Sequence, residues 1–305
     1  MSQVKIDDPF ARVKLGATDV VVSRLAWGMW RFQGDDLAHS RALVEAAFEA
    51  GINLFDTADI YGFNGREGFG SAEVLLGRLF AADPGLRRRM VLASKGGIIP
   101  GVPYDSSADY LIAACEASLR RLGTDHLDLF QVHRPDVLTH PAEVARALAT
   151  LVASGKARAV GVSNHTPAQT AALVAHLPIP LASLQPEFSP LVLEPLVDGT
   201  LDLAMQHRIS VLAWSPLAGG RLGAPGDDER AQRVCAELDA QAQRCGVSRT
   251  AATSAWIMAH PAGIVPIVGS QQASRIREAA DACKVSWTRA DWYRVLIASR
   301  GVALP

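Results

Sequence analysis

The chain has 305 residues, 49% of them hydrophobic and 20% charged, with a formal net charge of −1. This is the composition of a globular protein with a sizeable core. The balance of 30 basic against 31 acidic residues leaves no electrostatic footprint for nucleic acid or an anionic membrane. The four cysteines, Cys115, Cys235, Cys245 and Cys283, form no C-x-x-C pair and read as reduced, mostly core thiols. The opening Met1–Asp8 carries no apolar signal region, and no apolar run is long enough to span a bilayer, so a cytoplasmic protein is expected. The one compact basic run, Arg87-Arg88-Arg89, reads as a solvated face near a helix end.

Residues 12–22 alternate polar and apolar around Gly16-Ala-Thr-Asp19, which predicts an opening hairpin. Arg24–Gly28 follows as a first strand, then a helix over Asp36–Ala50 with Leu37, Val44, Ala47 and Phe48 on one face and Gly51 as C-cap. Asn53–Asp56 is a second strand, and Ser71–Phe80 a helix opened by the capping pattern Ser71-Ala-Glu-Val74. Met90–Lys95 and Ser107–Leu122 form the next strand and helix, then Leu127–His133 with Pro141–Ala153, and Ala157–Val162 with Pro167–Ala175. Leu181–Gln185 is a sixth strand, followed by a helix near Leu196–Gln206, and Ile209–Trp214 is the seventh. Helices over Asp228–Arg244 and Arg249–Met258 precede an eighth strand, Gly263–Ile267, and a helix over Ala273–Ala282. Trp287–Ile297 reads as one more amphipathic helix, packed outside.

Eight short apolar strands alternating with helices require a parallel sheet with helical crossovers. Eight units in this length predict a closed (β/α)8 TIM barrel, with the hairpin at its N-terminal side and extra helices outside. The competing open, doubly wound sheet more often carries a G-x-G-x-x-G turn after its first strand, and that turn is missing. No linker or composition shift divides residues 1–305, so one domain is expected.

Active sites of such barrels lie at the C-terminal ends of the strands. Asp56, Lys95 and His133 occupy those positions on strands two, three and four, and Tyr61 lies just beyond Asp56. Neighbouring strands are about 4.8 Å apart, so these groups can converge. Lys95 would neutralise the buried Asp56, and its charge would lower the pKa of the Tyr61 phenol and make it a better acid. His133, as neutral imidazole, could donate a hydrogen bond to a carbonyl oxygen. The set has no nucleophile with its own base and no cluster of metal ligands. A hydride from a nicotinamide fits the missing second partner. Asp59 reads as a turn residue. Trp30, Phe63 and the loop Gly96–Tyr104 flank this patch as substrate-pocket candidates, together with Tyr61 and His133, and suggest an apolar or aromatic carbonyl compound. After strand eight, Gly269, Ser270 and Arg275 stand at a helix N-terminus suited to a phosphate, and the Arg275 fork suits a 2′-phosphate.

Leu54-Phe-Asp-Thr-Ala-Asp-Ile-Tyr-Gly62, Ser94-Lys95, Leu129-Phe-Gln-Val-His-Arg-Pro-Asp136, Gly161-Val-Ser-Asn164 and Trp214-Ser-Pro-Leu217 together resemble the signature segments of the aldo-keto reductases, from about Val13 to Ala282. Trp292-Tyr-Arg-Val295 and the Pro190–Gly199 segment are most similar to a bacterial oxidoreductase branch. The resemblance implies the same barrel, reduction of aldehydes and ketones with NADPH, and a tetrad of Asp56, Tyr61, Lys95 and His133 with Tyr61 as general acid. It further implies that Ser163, Asn164 and Gln185 bind the carboxamide, that Trp214 stacks on the nicotinamide, and that Ser215, Leu217 and Gly219 line the pyrophosphate. Gly28, Met29, Trp30 and Asp56 complete the cofactor set, with no metal and no implied oligomer. Gly269 stands where a Lys is common in the family, and Ala279 where an Asn often contacts the adenine. Two other functions share this fold. One is an NADP-binding regulatory subunit with weak turnover, and the other a Schiff-base aldolase using Lys95 as nucleophile.

Overall fold

The computed structural model describes residues 11–305 and, before them, the backbone of Val4–Lys5; the rest of the polar opening Met1–Asp8 lies outside the described residues. In chain order the elements are β1 (Val4–Lys5), β2 (Arg12–Lys14), β3 (Val21–Ser23), β4 (Ala26–Gly28), α1 (Leu37–Glu49), β5 (Leu54–Asp56), α2 (Ser71–Ala82) and α3 (Pro84–Arg88). There follow β6 (Val91–Gly96), α4 (Ala108–Leu122), β7 (Leu127–Val132), α5 (Pro141–Ala153), β8 (Ala157–Ser163), α6 (Pro167–Val174), β9 (Leu181–Gln185) and α7 (Thr200–His207). The chain ends with β10 (Ser210–Ala213), α8 (Glu229–Cys245), α9 (Arg249–Met258), β11 (Val265–Val268), α10 (Ala273–Glu278), β12 (Ser286–Trp287) and α11 (Arg289–Arg300).

Strands β4 to β11 close in sequence order into an eight-stranded parallel barrel, β11 pairing back onto β4. The hairpin β2–β3 plugs its N-terminal end. Leu15 and Val22 pack among Leu54 and the small inward residues Ala26, Ala93, Ala159 and Ala182. Gly16, at φ 59°, runs so close to Ala182 that a Cβ would lie 2.6 Å from the Ala182 carbonyl oxygen. Outward strand residues pack under the helices: Trp27 meets Phe32 and Phe55 edge-on at 5.5 and 5.7 Å between ring centroids. Across α9 and α11, Trp256 and Trp292 stack at 4.5 Å, and each indole N–H donates to the other's backbone carbonyl (3.1 and 3.0 Å).

Several local expectations are corrected. Ala50 is the C-cap of α1, and Gly51 follows it at φ 77°. The N-cap of α2 is Gly70 in the left-handed region, without a side-chain cap; Ser71 lies inside the helix and Glu73 turns inward. The helix expected at Leu196 begins at Thr200, because Glu194–Leu196 forms a separate 3-10 turn. Trp287 lies in β12, paired with β1, so the last helix starts at Arg289. Arg87 is not part of a solvated face: it reaches Asp128 at 2.9 Å and the Met90 and His126 carbonyls, while Arg89 covers the Phe48 ring. Cys115 and Cys235 are buried, and Cys245 and Cys283 are half-buried. Among the described residues no helix is long and apolar enough to cross a membrane.

Candidate active site

The barrel register places Asp56 beside Gly28 on one side and Ala93 on the other, with Lys95 opposite Gln131. Beyond β5 the chain keeps hydrogen-bonding to β6, Thr57 N–H to the Ala93 carbonyl (2.9 Å) and Asp59 N–H to that of Lys95 (3.0 Å), before Tyr61 closes a turn onto Ala58. This brings the phenol back over the barrel mouth. The fully buried Lys95 ammonium spends its three protons on Asp56 Oδ2 (2.6 Å), the Thr57 carbonyl (2.9 Å) and the Tyr61 hydroxyl (3.0 Å). His133 lies beside Tyr61, 5.7 Å between ring centroids, and its buried Nδ1 has no hydrogen-bond partner among the described residues. The four residues expected to converge therefore do so.

Below them lies a layer of buried amides. Asp56 Oδ1 accepts from Gln131 Nε2 (3.2 Å) and Gln185 Nε2 (3.0 Å), and Gln131 Oε1 accepts from the Ser183 hydroxyl (3.1 Å). A buried ion pair is sustained only when its remaining lone pairs are satisfied, and these amides do that for Asp56. Burial lowers the Lys95 pKa, but Asp56 and Tyr61 outweigh it and hold the ammonium above its ordinary value. Burial, with Lys95 and Arg134, pushes His133 well below the ordinary range, so the ring is neutral. Tyr61 departs from expectation. Desolvation pushes its phenol up, and the opposing Lys95 charge does not reverse the shift, because Asp56 sits on the same ammonium.

Asp59 is not a solvent-facing turn residue. It is 1% exposed, and among the described residues neither carboxyl oxygen meets a side-chain donor within hydrogen-bonding distance, the neighbouring Ile60 N–H giving only weak relief. Burial, and next the nearby Glu73, push its pKa well above the usual carboxylate range, so it holds its proton. Glu73, also buried, accepts from the Ser94 hydroxyl (2.5 Å) and pairs with Arg121 (2.7 Å).

The residues expected at a cofactor surround the same mouth. Ser163 donates to the Gln185 carbonyl, and the Asn164 amide spans the His133 carbonyl, Ser163 Oγ and, through its own oxygen, the Trp214 indole N–H (3.0 Å). After Trp214 the backbone is unusual: Ser215, Ala218, Gly219 and Gly220 have φ of 53°, 50°, 69° and 100°. The Ala218, Gly219 and Gly220 N–H groups are spent inside this turn, on the Ser215 carbonyl (2.7 Å), Ser215 Oγ (2.7 Å) and the Leu217 carbonyl (3.0 Å). A Cβ on Gly219, Gly220 or Gly269 would meet nothing within 4 Å, so the space beside them is open. This open, glycine-lined surface leaves room for the close approach of a dinucleotide. Leu217 and Ser270 are half-buried, Arg275 is exposed, and Ser270 is anchored by the Trp27 indole N–H to its carbonyl (2.9 Å). Met29 does not face that surface: its side chain is fully buried in the core, and its N–H donates to the Asp56 carbonyl. A Cβ on Gly28 would lie 2.7 Å from Ile267 Cγ2. On the substrate side Trp30 is 67% exposed and leans over Tyr61 at 5.8 Å, while Phe63 is half-buried.

Gln131, Ser183, Glu73 and Arg134 were not singled out from sequence. Gln131 and Ser183 each stand two residues before a proposed site residue, His133 and Gln185, so strand alternation could have placed them on the inward face. Half-buried Arg134 lies over the Trp214 ring at 6.0 Å and depresses the His133 pKa.

The chain resembles known proteins over its whole length. It is 56% identical to a 6-dehydroglucose reductase of Novosphingobium aromaticivorans, covering 97% of this chain and 98% of that protein. A 6-dehydroglucose reductase of Agrobacterium fabrum is 41% identical over 90% of this chain and 93% of its own length. In fold it resembles the thermostable aldo-keto reductase Tm1743, solved in complex with the inhibitor epalrestat, with a TM-score of 0.81 at 23% identity, covering 94% of this chain and 99% of that one. The aldo/keto reductase family profile matches residues 24–298, a span that holds the closed barrel and all four converging side chains, and the chain belongs to that family of oxidoreductases.

Proposed function

We propose that this protein reduces the carbonyl group of a sugar-derived aldehyde or ketone to the alcohol, with NADPH as the hydride source and Tyr61 as general acid. The observation that carries the reading is the Lys95 ammonium held simultaneously by Asp56, the Thr57 carbonyl and the Tyr61 hydroxyl. NADPH, when bound, supplies the hydride that the carbonyl carbon accepts. Ser163, Asn164 and Gln185 would hold its carboxamide, Trp214 its ring face, Ser215, Leu217 and Gly219 its pyrophosphate, and Ser270 and Arg275 its 2′-phosphate, beside Gly28, Gly269 and Trp30. The carbonyl oxygen sits between Tyr61 and His133. Neutral His133 orients it by donating a hydrogen bond. Tyr61, its pKa raised by burial, arrives still protonated and passes its proton to the oxygen. Lys95 then stabilises the phenolate left behind.

A sugar-derived substrate is supported by the two relatives named 6-dehydroglucose reductases. It also suits the pocket, where the exposed face of Trp30 offers a stacking surface and Arg134 a hydrogen-bonding fork. Lys95 acting as a Schiff-base nucleophile is disfavoured, because its pKa is raised and an ammonium does not attack a carbonyl. Tyr61→Phe is expected to lower turnover of a sugar dialdehyde by at least about 100-fold. NADPH binding, followed by its fluorescence, should stay within about 3-fold, since the phenol lies on the substrate side. Retained turnover refutes the mechanism. Tight NADPH binding by the unaltered protein without turnover on any aldehyde or ketone refutes the enzymatic reading in favour of a regulatory subunit.

A further inference from the structure

We infer that Gln131 is a positioning residue for the reduction site, the hub of a buried amide relay that sets the orientation of Asp56 and, through it, of Lys95 and Tyr61. This rests on the carbonyl-reductase reading above. Gln131 is fully buried and sits on β7 two residues before His133, so both side chains face the barrel interior. Its Nε2 donates to Asp56 Oδ1 (3.2 Å), and its Oε1 accepts from Ser183 Oγ (3.1 Å) and, more weakly, from Gln185 Nε2 (3.4 Å). The Asp56 carboxylate, which only accepts, fixes which end of the Gln131 amide faces it, and the Ser183 hydroxyl supports that orientation by donating to the amide oxygen on the other side.

Space is made for this hydroxyl. Ser183 Oγ lies where a Cβ on its β8 neighbour Gly161 would be, 2.0 Å from the ideal position, so the relay requires glycine there. The relay divides the two Asp56 oxygens between different tasks. Oδ1 takes the two amides, from β7 and β9, which leaves Oδ2 for Lys95 alone. With both oxygens held the carboxylate is fixed in orientation, and the Lys95 ammonium, with all three protons committed, cannot move without loosening its bond to the Tyr61 hydroxyl. Gln131 touches neither the phenol nor the imidazole in any hydrogen bond, so its effect on turnover runs through Asp56.

Three variants of the full-length protein test this. Gln131→Leu keeps the volume and removes the donor, and is expected to lower kcat by about 10- to 100-fold with the aldehyde KM within about 3-fold. Ser183→Ala removes only the hydroxyl that donates to the Gln131 oxygen, and a smaller loss in the same direction is expected. Gln131→Glu keeps the shape, and the introduced carboxyl can donate to Asp56 only while protonated. Its kcat should approach that of the unaltered protein at low pH and fall as pH rises, a limb the unaltered protein lacks. A readout independent of turnover is the ultraviolet titration of Tyr61, taken as the difference from a Tyr61→Phe background. Gln131→Glu should move that titration to higher pH, because a second anion beside Asp56 disfavours the phenolate. If Gln131→Leu keeps kcat within about 2-fold, or the Gln131→Glu pH profile and Tyr61 titration both overlay those of the unaltered protein, Gln131 is a packing residue and the inference fails. Absence of carbonyl turnover in the unaltered protein overturns the functional reading instead, and the Tyr61 titration then decides the positioning role alone.

Discussion

Replacing Lys95 by methionine removes a charge while nearly keeping its volume, and its cost follows from what the ammonium holds. Lys95 is fully buried and the Asp56 side chain 4% exposed, so neither partner can turn to water when the other is lost. The substitution strips a donor at 2.6 Å from a buried carboxylate and another at 2.9 Å from the Thr57 carbonyl. A buried acceptor left without its donor costs about 1–3 kcal/mol, and more when it is charged. Breaking a buried pair by removing one partner costs about 3–5 kcal/mol. Because Gln131 and Gln185 still serve Asp56 Oδ1, the lower half of that range, about 3–4 kcal/mol, is expected for Lys95→Met. Asp56→Asn should cost a similar amount, since it strands the ammonium. The double variant holds no unpaired charge and should be destabilised by far less than the sum, giving a coupling of at least about 2 kcal/mol in urea unfolding of the four proteins. Losses that add to within about 0.5 kcal/mol would refute the view that each charge is kept in the barrel by the other.

Two further expectations concern groups below and beside the site. Asp59 keeps a proton in the native state that the unfolded chain releases above its ordinary pKa of 3.8. Its contribution to stability is therefore full below that value and is lost as pH rises towards the raised native pKa. Across that window the unaltered protein should lose up to about 1.4 kcal/mol per pH unit relative to Asp59→Asn. Urea unfolding at several pH values measures the difference, and parallel stability curves contradict the assignment. Gly161→Ala forces a methyl against Ser183, at 2.0 Å from Oγ and 2.9 Å from the carbonyl oxygen, and should cost about 1–3 kcal/mol, partly recovered by adding Ser183→Ala. A cost under about 0.5 kcal/mol, read from chemical denaturation, is inconsistent with so close an approach.

Much of the fold was legible in sequence because its signals are local. Strand and helix periods, and Gly or Pro at their ends, reveal eight β/α units without reference to distant residues. Their number in turn implies closure and places Asp56, Lys95 and His133 at one end of the barrel. The starts of α4 and α6, placed at Ser107 and Pro167, fall within one residue of those observed. The start of α2 at Ser71 was right but its cap was not, because the first-turn Glu73 has its carboxylate committed to Ser94 and Arg121, both distant in sequence.

The site divides along the same line. The residue types and their strand ends are written in the chain, because position along a strand decides which face and which end a side chain occupies. Their electrostatics are not. Asp59 looks like a turn acid until the barrel buries it, and the direction of the Tyr61 shift emerges only when desolvation is set against Lys95 and Asp56 together. The Asp56–Gln131–Ser183 relay joins β5, β7 and β9, strands that are not neighbours in the sheet, and their inward side chains meet only across the closed interior. Local sequence thus specifies which groups are offered to the barrel mouth. Tertiary closure, by excluding water and bringing non-adjacent strands face to face, decides which of them pair and which remain protonated.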